Sequence, residues 1–122
     1  MPLVLIVDDS PTEQHVFCKA LERHGYETVV ASDGEEAIAT AEQVRPEVIV
    51  MDVVMPGMNG FQATRRLSRN PITAEIPVVI VSAKGQETDR IWGLRQGAAQ
   101  YLVKPIDIKD LVAAVEAALG HG

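Results

Sequence analysis

Five short apolar runs recur along the chain: Leu3 to Val7, Thr28 to Ala31, Val48 to Met51, Val78 to Val81 and Tyr101 to Val103. Each has the length of a β-strand. Between them apolar residues return at three- and four-residue steps, as in Ala37, Ile38, Ala41 and Val44, or Leu111, Val112, Val115, Ala118 and Leu119. That period places them on one face of a helix. The pattern predicts five alternations of strand and helix.

Local punctuation agrees. Ser10-Pro11-Thr12-Glu13 offers a capping serine, a proline for the first helical position and a glutamate three residues after the cap,. The first helix is predicted from about Pro11 to His24, with Gly25 ending it. Ser32 to Glu35 repeats the cap spacing, and Pro46 closes the second helix,. Pro71 and Pro77 bracket the loop before the fourth strand. Gly97 and Gly120 mark the ends of the last two helices,. On the fourth helix Ile91, Leu94 and Ala98 form the expected inward stripe. Trp92 falls off that stripe, either flanking a partner surface with Tyr101 or packing at the core edge. His15 and Cys18 are expected at the surface or boundary, and His121 and Gly122 in a frayed end.

Strands that read as nearly continuous apolar runs belong to a parallel sheet covered on both faces. The expected architecture is an α/β, doubly wound, five-stranded parallel sheet. With 122 residues, 47% of them apolar, the chain fits one domain over residues 1–122,. Seventeen acidic against eleven basic residues give a net charge of -6, and aromatics are only 4%. Neither a nucleic-acid surface nor a base-stacking platform is expected. Cys18 has no partner for an internal disulfide, and there is no Cys/His zinc pattern,. No apolar run approaches the ~18 residues of a membrane span, so the expectation is a soluble, cytoplasmic protein.

In open α/β sheets, ligands bind beyond the carboxyl ends of the strands. There the first strand delivers Asp8-Asp9, the third Asp52, the fourth Ser82 and the fifth Lys104. Asp52 stands out because it interrupts an apolar stretch from Val48 to Met55. A carboxylate in such surroundings needs a cation or hydrogen-bond donors to compensate its desolvation. Three carboxylates at neighbouring strand ends repel one another unless a hard cation sits among them. Set against Lys104, they leave two negative charges, which one Mg²⁺ would neutralise. Oxygen donors without His or Cys favour Mg²⁺ over zinc or copper. Lys104 suits a phosphate oxygen and Ser82 adds a hydroxyl donor. The combination describes phosphoryl chemistry on an aspartate nucleophile.

These residues lie in LIVDDS (Leu5 to Ser10), VMDVVMPGMNG (Val50 to Gly60), VIVSAK (Val79 to Lys84) and YLVKP (Tyr101 to Pro105). In order and separation the four motifs resemble the receiver domain of two-component response regulators, and the match covers essentially the whole chain. The resemblance implies the flavodoxin-like, CheY-like strand order 2-1-3-4-5. It implies Asp52 as phosphoacceptor, with Mg²⁺ held by Asp9, by Asp8 mainly through water, by Asp52 and by the main-chain carbonyl of Val54. It further implies that Lys104 pairs with the phosphoryl group, that Ser82 closes onto it, that Lys104-Pro105 is a cis peptide, and that Tyr101 is an aromatic switch that turns inward as the Ser82 loop moves. Family members often carry a polar side chain at Val54 to position the hydrolytic water, so slow loss of phosphate is implied here.

Gly60 to Arg65, Gln86 to Gly93 and Arg95 to Ala98 look most like the single-domain regulators of type IV pilus twitching motility. That likeness implies a stand-alone switch rather than an enzyme. Its partners would be a sensor histidine kinase and a downstream protein, with the pilus motor machinery as the candidate target. An aspartyl-nucleophile phosphatase is the alternative, but Asp8-Asp9 lacks the alternating acid pair of the best-known such family. A nucleotide- or flavin-binding domain of similar topology would want a glycine-rich first turn, where this chain has Asp,.

Overall fold

A computed structural model describes residues 1–120; the expectation for His121 and Gly122 lies outside the described residues. Ten elements alternate: β1 (Leu3–Val7), α1 (Pro11–Arg23), β2 (Glu27–Ala31), α2 (Gly34–Val44), β3 (Val48–Met51), α3 (Gly60–Arg69), β4 (Val78–Ser82), α4 (Glu87–Arg95), β5 (Gln100–Val103) and α5 (Ile108–Ala118). All strand pairings are parallel and the sheet order is β2-β1-β3-β4-β5. This is the doubly wound, flavodoxin-like sheet that the alternation and the resemblance predict.

Strand periodicity divides the core. Leu5, Val7, Ile49, Met51, Val78 and Ile80 face one side and pack with Ala37, Ala41, Ala63 and Leu67 of α2 and α3. Their neighbours Val4, Ile6, Val48, Val50, Val79 and Val81 face the other, against Phe17 and Leu21 of α1 and Leu111, Val112 and Val115 of α5. Both faces are therefore apolar, and the strands show no polar alternation. The chain order reverses at β1, whose neighbours β2 and β3 lie on opposite sides. A crevice beyond the carboxyl ends of β1 and β3 follows from that reversal.

Three local expectations change. The α2 cap is Asp33, not Ser32; its side chain accepts from the Glu36 amide at 2.8 Å, and Glu36 reaches back to the Ser32 amide. At α1, Ser10 accepts the Glu13 amide at 3.3 Å, but its own amide donates to Asp8 Oδ1, so the glutamate half of the predicted box does not form. Of the predicted α4 stripe only Ala98, past the helix end, is buried: Ile91 and Leu94 are exposed, and within the helix Gly93 is the position that meets the core. The Tyr101 ring occupies the space that a Gly93 side chain would need, with Cδ2 2.7 Å from an ideal Cβ.

Gly60, at the start of α3, has the tightest backbone approach. A Cβ there would lie 2.0 Å from the carbonyl oxygen of Asp52 and 2.8 Å from Val53 Cα. Its amide donates to Val53 O at 2.8 Å. Gly60→Ala is expected to cost about 2 to 3 kcal/mol in urea unfolding, because only backbone can yield. Gly34→Ala should be within about 1 kcal/mol of the parent, since its Cβ would meet only the flexible Met58 side chain,.

Candidate phosphoacceptor site

The end of β1 and the end of β3 are joined by the Asp52 amide, which donates to Val7 O at 2.9 Å. That bond places Asp52 beside Asp8, and carboxylate oxygens of Asp8, Asp9 and Asp52 lie within 4.8 Å of one another. Asp8 is 2% exposed and Asp52 8%, whereas Asp9 faces solvent. Local donors hold the two buried acids: the Ser10 amide reaches Asp8 Oδ1 at 2.9 Å, and the Val53 amide reaches Asp52 Oδ1 at 2.8 Å. Gln14 fixes the turn from α1, donating to Asp8 O at 2.6 Å.

Lys104 enters from the end of β5, where its amide donates to Ser82 O at 2.8 Å and ties it to the end of β4. The Lys104–Pro105 peptide is cis. The Lys104 ammonium lies 3.3 Å from Asp8 Oδ2 and 3.6 Å from Asp52 Oδ1. Its shortest contact, 2.5 Å, is to Glu13 Oε2. Glu13 escaped the sequence reading because its spacing from Ser10 already matched a helix cap. The signal available was its place in the first helical turn after Asp8-Asp9, which overhangs the same sheet edge.

Ser82 is fully buried at the end of β4, and its hydroxyl accepts the Lys84 amide at 3.1 Å. Tyr101 is also buried. Its hydroxyl donates to Lys84 O at 2.7 Å, and its ring stacks with Phe61 at 6.4 Å between centroids. The ring lies inward, with glycine at position 93 leaving room for it and Lys84 supplying an acceptor for its hydroxyl. Val54 is 60% exposed and Trp92 50%; with Phe61 and Lys84 they line a shallow crevice beside the acids. Trp92 thus sits at an open surface rather than in the core. His15 is exposed, and Cys18 half-buried, with burial pushing its thiol pKa up.

Burial raises the pKa of both Asp8 and Asp52; for Asp52 the Asp8 charge adds to the rise while Lys104 opposes it. Burial alone would lower the Lys104 pKa, but the Glu13 hydrogen bond and the Asp52 and Asp8 charges outweigh it and hold Lys104 protonated. Three clustered carboxylates and no nitrogen or sulfur donor fit a hard divalent cation such as Mg²⁺,.

Three carboxylates and one lysine thus meet at the sheet's reversal point, and residues 4–116 match the model of the response regulator receiver domain. The chain belongs to that family. It is 50% identical over 119 residues to Protein PilH of Pseudomonas aeruginosa, covering 98% of each chain. Among solved structures it resembles the chemotaxis protein CheY4 of Vibrio cholerae, with a TM-score of 0.92 and 32% identity, covering 98% of this chain and 99% of that one. It also resembles the receiver domain of a sensor histidine kinase from Pseudomonas aeruginosa PAO1, which has a magnesium ion coordinated in its active-site cleft. That match has a TM-score of 0.90 and 29% identity, and covers 98% of each chain. Among the described residues no helix is long and apolar enough to cross a membrane.

A carboxylate whose folded pKa lies above its unfolded value binds more protons when folded, so its ionisation costs stability as pH rises. Without divalent ions, Asp52→Asn should therefore be more stable than the parent at pH 7, by about 1 kcal/mol. The gap should close as pH falls through the raised pKa towards the ordinary aspartate range. Urea midpoints measured with chelator between pH 4 and 8 test this; a less stable Asn variant would mean that the Lys104 pairing outweighs the desolvation. The Lys104 contribution runs the other way: it is fully present below the ordinary value of 10.5 and is lost only as pH rises through the raised folded pKa,.

Proposed function

We propose that the chain is a stand-alone, single-domain response regulator over residues 1–122, which takes a phosphoryl group from a sensor histidine kinase onto Asp52. The observation that carries this reading is the meeting of the Asp8, Asp9 and Asp52 carboxylates with the Lys104 ammonium at one sheet edge. Asp8, Asp9, Asp52 and the main-chain carbonyl of Val54 would hold Mg²⁺. When bound, that ion supplies charge neutralisation for the transferring group.

The chain's own residues do the rest. An Asp52 carboxylate oxygen attacks phosphorus as the bond to the nitrogen of the donor's ring-protonated phosphohistidine breaks; that nitrogen keeps the bonding pair, leaving neutral imidazole and an aspartyl phosphate. Lys104, protonated and within 3.6 Å of Asp52, balances charge on the phosphoryl oxygens,. The Ser82 hydroxyl, whose oxygen accepts the Lys84 amide, donates its own O–H to a phosphoryl oxygen,. Tyr101 is bound to Lys84 O, so a move of the Ser82–Lys84 segment changes the support of its ring. Such coupling need bias two packed states by only ~1 to 3 kcal/mol to alter partner affinity.

The output is a protein contact in the cytoplasm. Twitching motility under chemotaxis-like control is its setting, with the pilus motor machinery as downstream target. The 50% identity to PilH over nearly the whole of both chains supports that setting. The motif set supports phosphoacceptance with slow self-dephosphorylation rather than turnover of a free substrate.

Incubation with a phosphorylated histidine kinase or with acetyl phosphate should label the parent and leave Asp52→Asn unlabelled. Equal labelling of both would overturn the assignment. Val54, exposed beside Asp52, has no polar group to orient an attacking water. Val54→Asn should shorten the lifetime of the phosphorylated protein several-fold, about 1 kcal/mol in barrier height, read as decay of label after donor removal.

A further inference from the structure

Glu13 belongs to neither the strand ends nor the carboxylate trio, yet it makes the closest contact of Lys104, 2.5 Å against 3.3 Å to Asp8 and 3.6 Å to Asp52. An ammonium has three N–H donors. Here one goes to Glu13 and one to Asp8, and the distance to Asp52 is beyond hydrogen-bond range,. Glu13 is anchored for this task. Its amide is bonded to Ser10 Oγ, and it lies in the first turn of α1, where the helix dipole favours an ionised acid,. Its carboxylate is not engaged in the cap, because Asp8 already takes the Ser10 amide.

We propose that Glu13 is a positioning residue that draws the Lys104 ammonium towards α1, so that it keeps one hydrogen bond to Asp8 and stands back from Asp52, leaving most of the carboxylate oxygens that a divalent cation needs. Lysine is a point charge on a flexible four-carbon stem and settles wherever the nearest anions are. With Glu13 in place, those anions include one outside the trio. Without it only Asp8 and Asp52 remain among the contacts of Lys104, so the ammonium closes onto them and competes with the cation for the same oxygens,. Glu13 thereby lets two cations occupy one small site, one from the protein and one from solution. The inference rests on the functional reading above only in taking Mg²⁺ as the cation.

Calorimetric titration of the full chain with Mg²⁺ tests it, with unfolding melts confirming that each variant is folded. Glu13→Gln should weaken Mg²⁺ binding by about two- to fivefold, the range of a half-exposed ion pair. Glu13→Asp keeps the charge but shortens the reach, and should weaken binding similarly. In a Lys104→Met background, Glu13→Gln should leave the Mg²⁺ dissociation constant unchanged. Parent-like binding by Glu13→Asp, or a full Gln effect without Lys104, would mean that Glu13 acts through its charge alone and would overturn the proposal. If the parent chain takes up no Mg²⁺, the metal assignment fails and takes this inference with it. Labelling of Asp52→Asn would instead overturn the phosphoacceptor while leaving the binding comparison intact.

Discussion

Everything at the working edge of this sheet depends on keeping several negative charges close together in a place that water scarcely reaches. Asp8 and Asp52 are buried side by side, and neither would stay ionised there without compensation,. The sheet supplies part of it through backbone amides, Ser10 to Asp8 and Val53 to Asp52. Lys104 supplies the rest, reaching in from a strand two places away from the one that carries Asp52. The pairing β1-β3-β4-β5 is thus an electrostatic requirement as much as a packing one. A slip of one residue in β5 would turn Lys104 to the other face of the sheet and leave the acids uncompensated,.

Much of this arrangement is legible in the chain. The apolar runs mark the strands to within a residue, because a doubly covered parallel strand has no reason to carry a polar side chain before its end,. For the same reason Asp52 is conspicuous: the residues around it are apolar and it is not. The errors have a common origin. Glu13 satisfies a local capping rule in sequence, but its partner is a lysine 91 residues away, and no short-range pattern reports that distance. Ser32 and Asp33 are both good caps, and spacing alone does not choose between them. On α4 the eye follows Ile91 and Leu94, whereas the inward position is a glycine whose space is filled by Tyr101 from the neighbouring strand. Volume contributed from another element leaves no trace in the helix's own periodicity.

The site also shows how one residue can serve two levels of structure. Gly60 begins α3, yet what it permits is the close approach of that helix to the carbonyl of Asp52. The Asn59–Gln62 capping box then fixes the helix start at that contact. Asp52 is thereby held from behind by backbone, its carbonyl against the start of α3. Tyr101 plays a comparable double part, filling core volume with its ring and binding Lys84 O with its hydroxyl.

α4 differs from the other helices in what holds it. Ile91 and Leu94 point outward with Trp92, and its contact with the core runs through Gly93, which buries no side chain of its own. A helix owes most of its stability to the apolar face it buries, so this one has little of its own and borrows the rest from the tyrosine beside it. Local opening should begin there, at a free energy well below that of global unfolding. The segment nearest the exposed crevice is therefore the one whose order is cheapest to change, and the apolar side chains it already shows to solvent would gain cover only from another molecule.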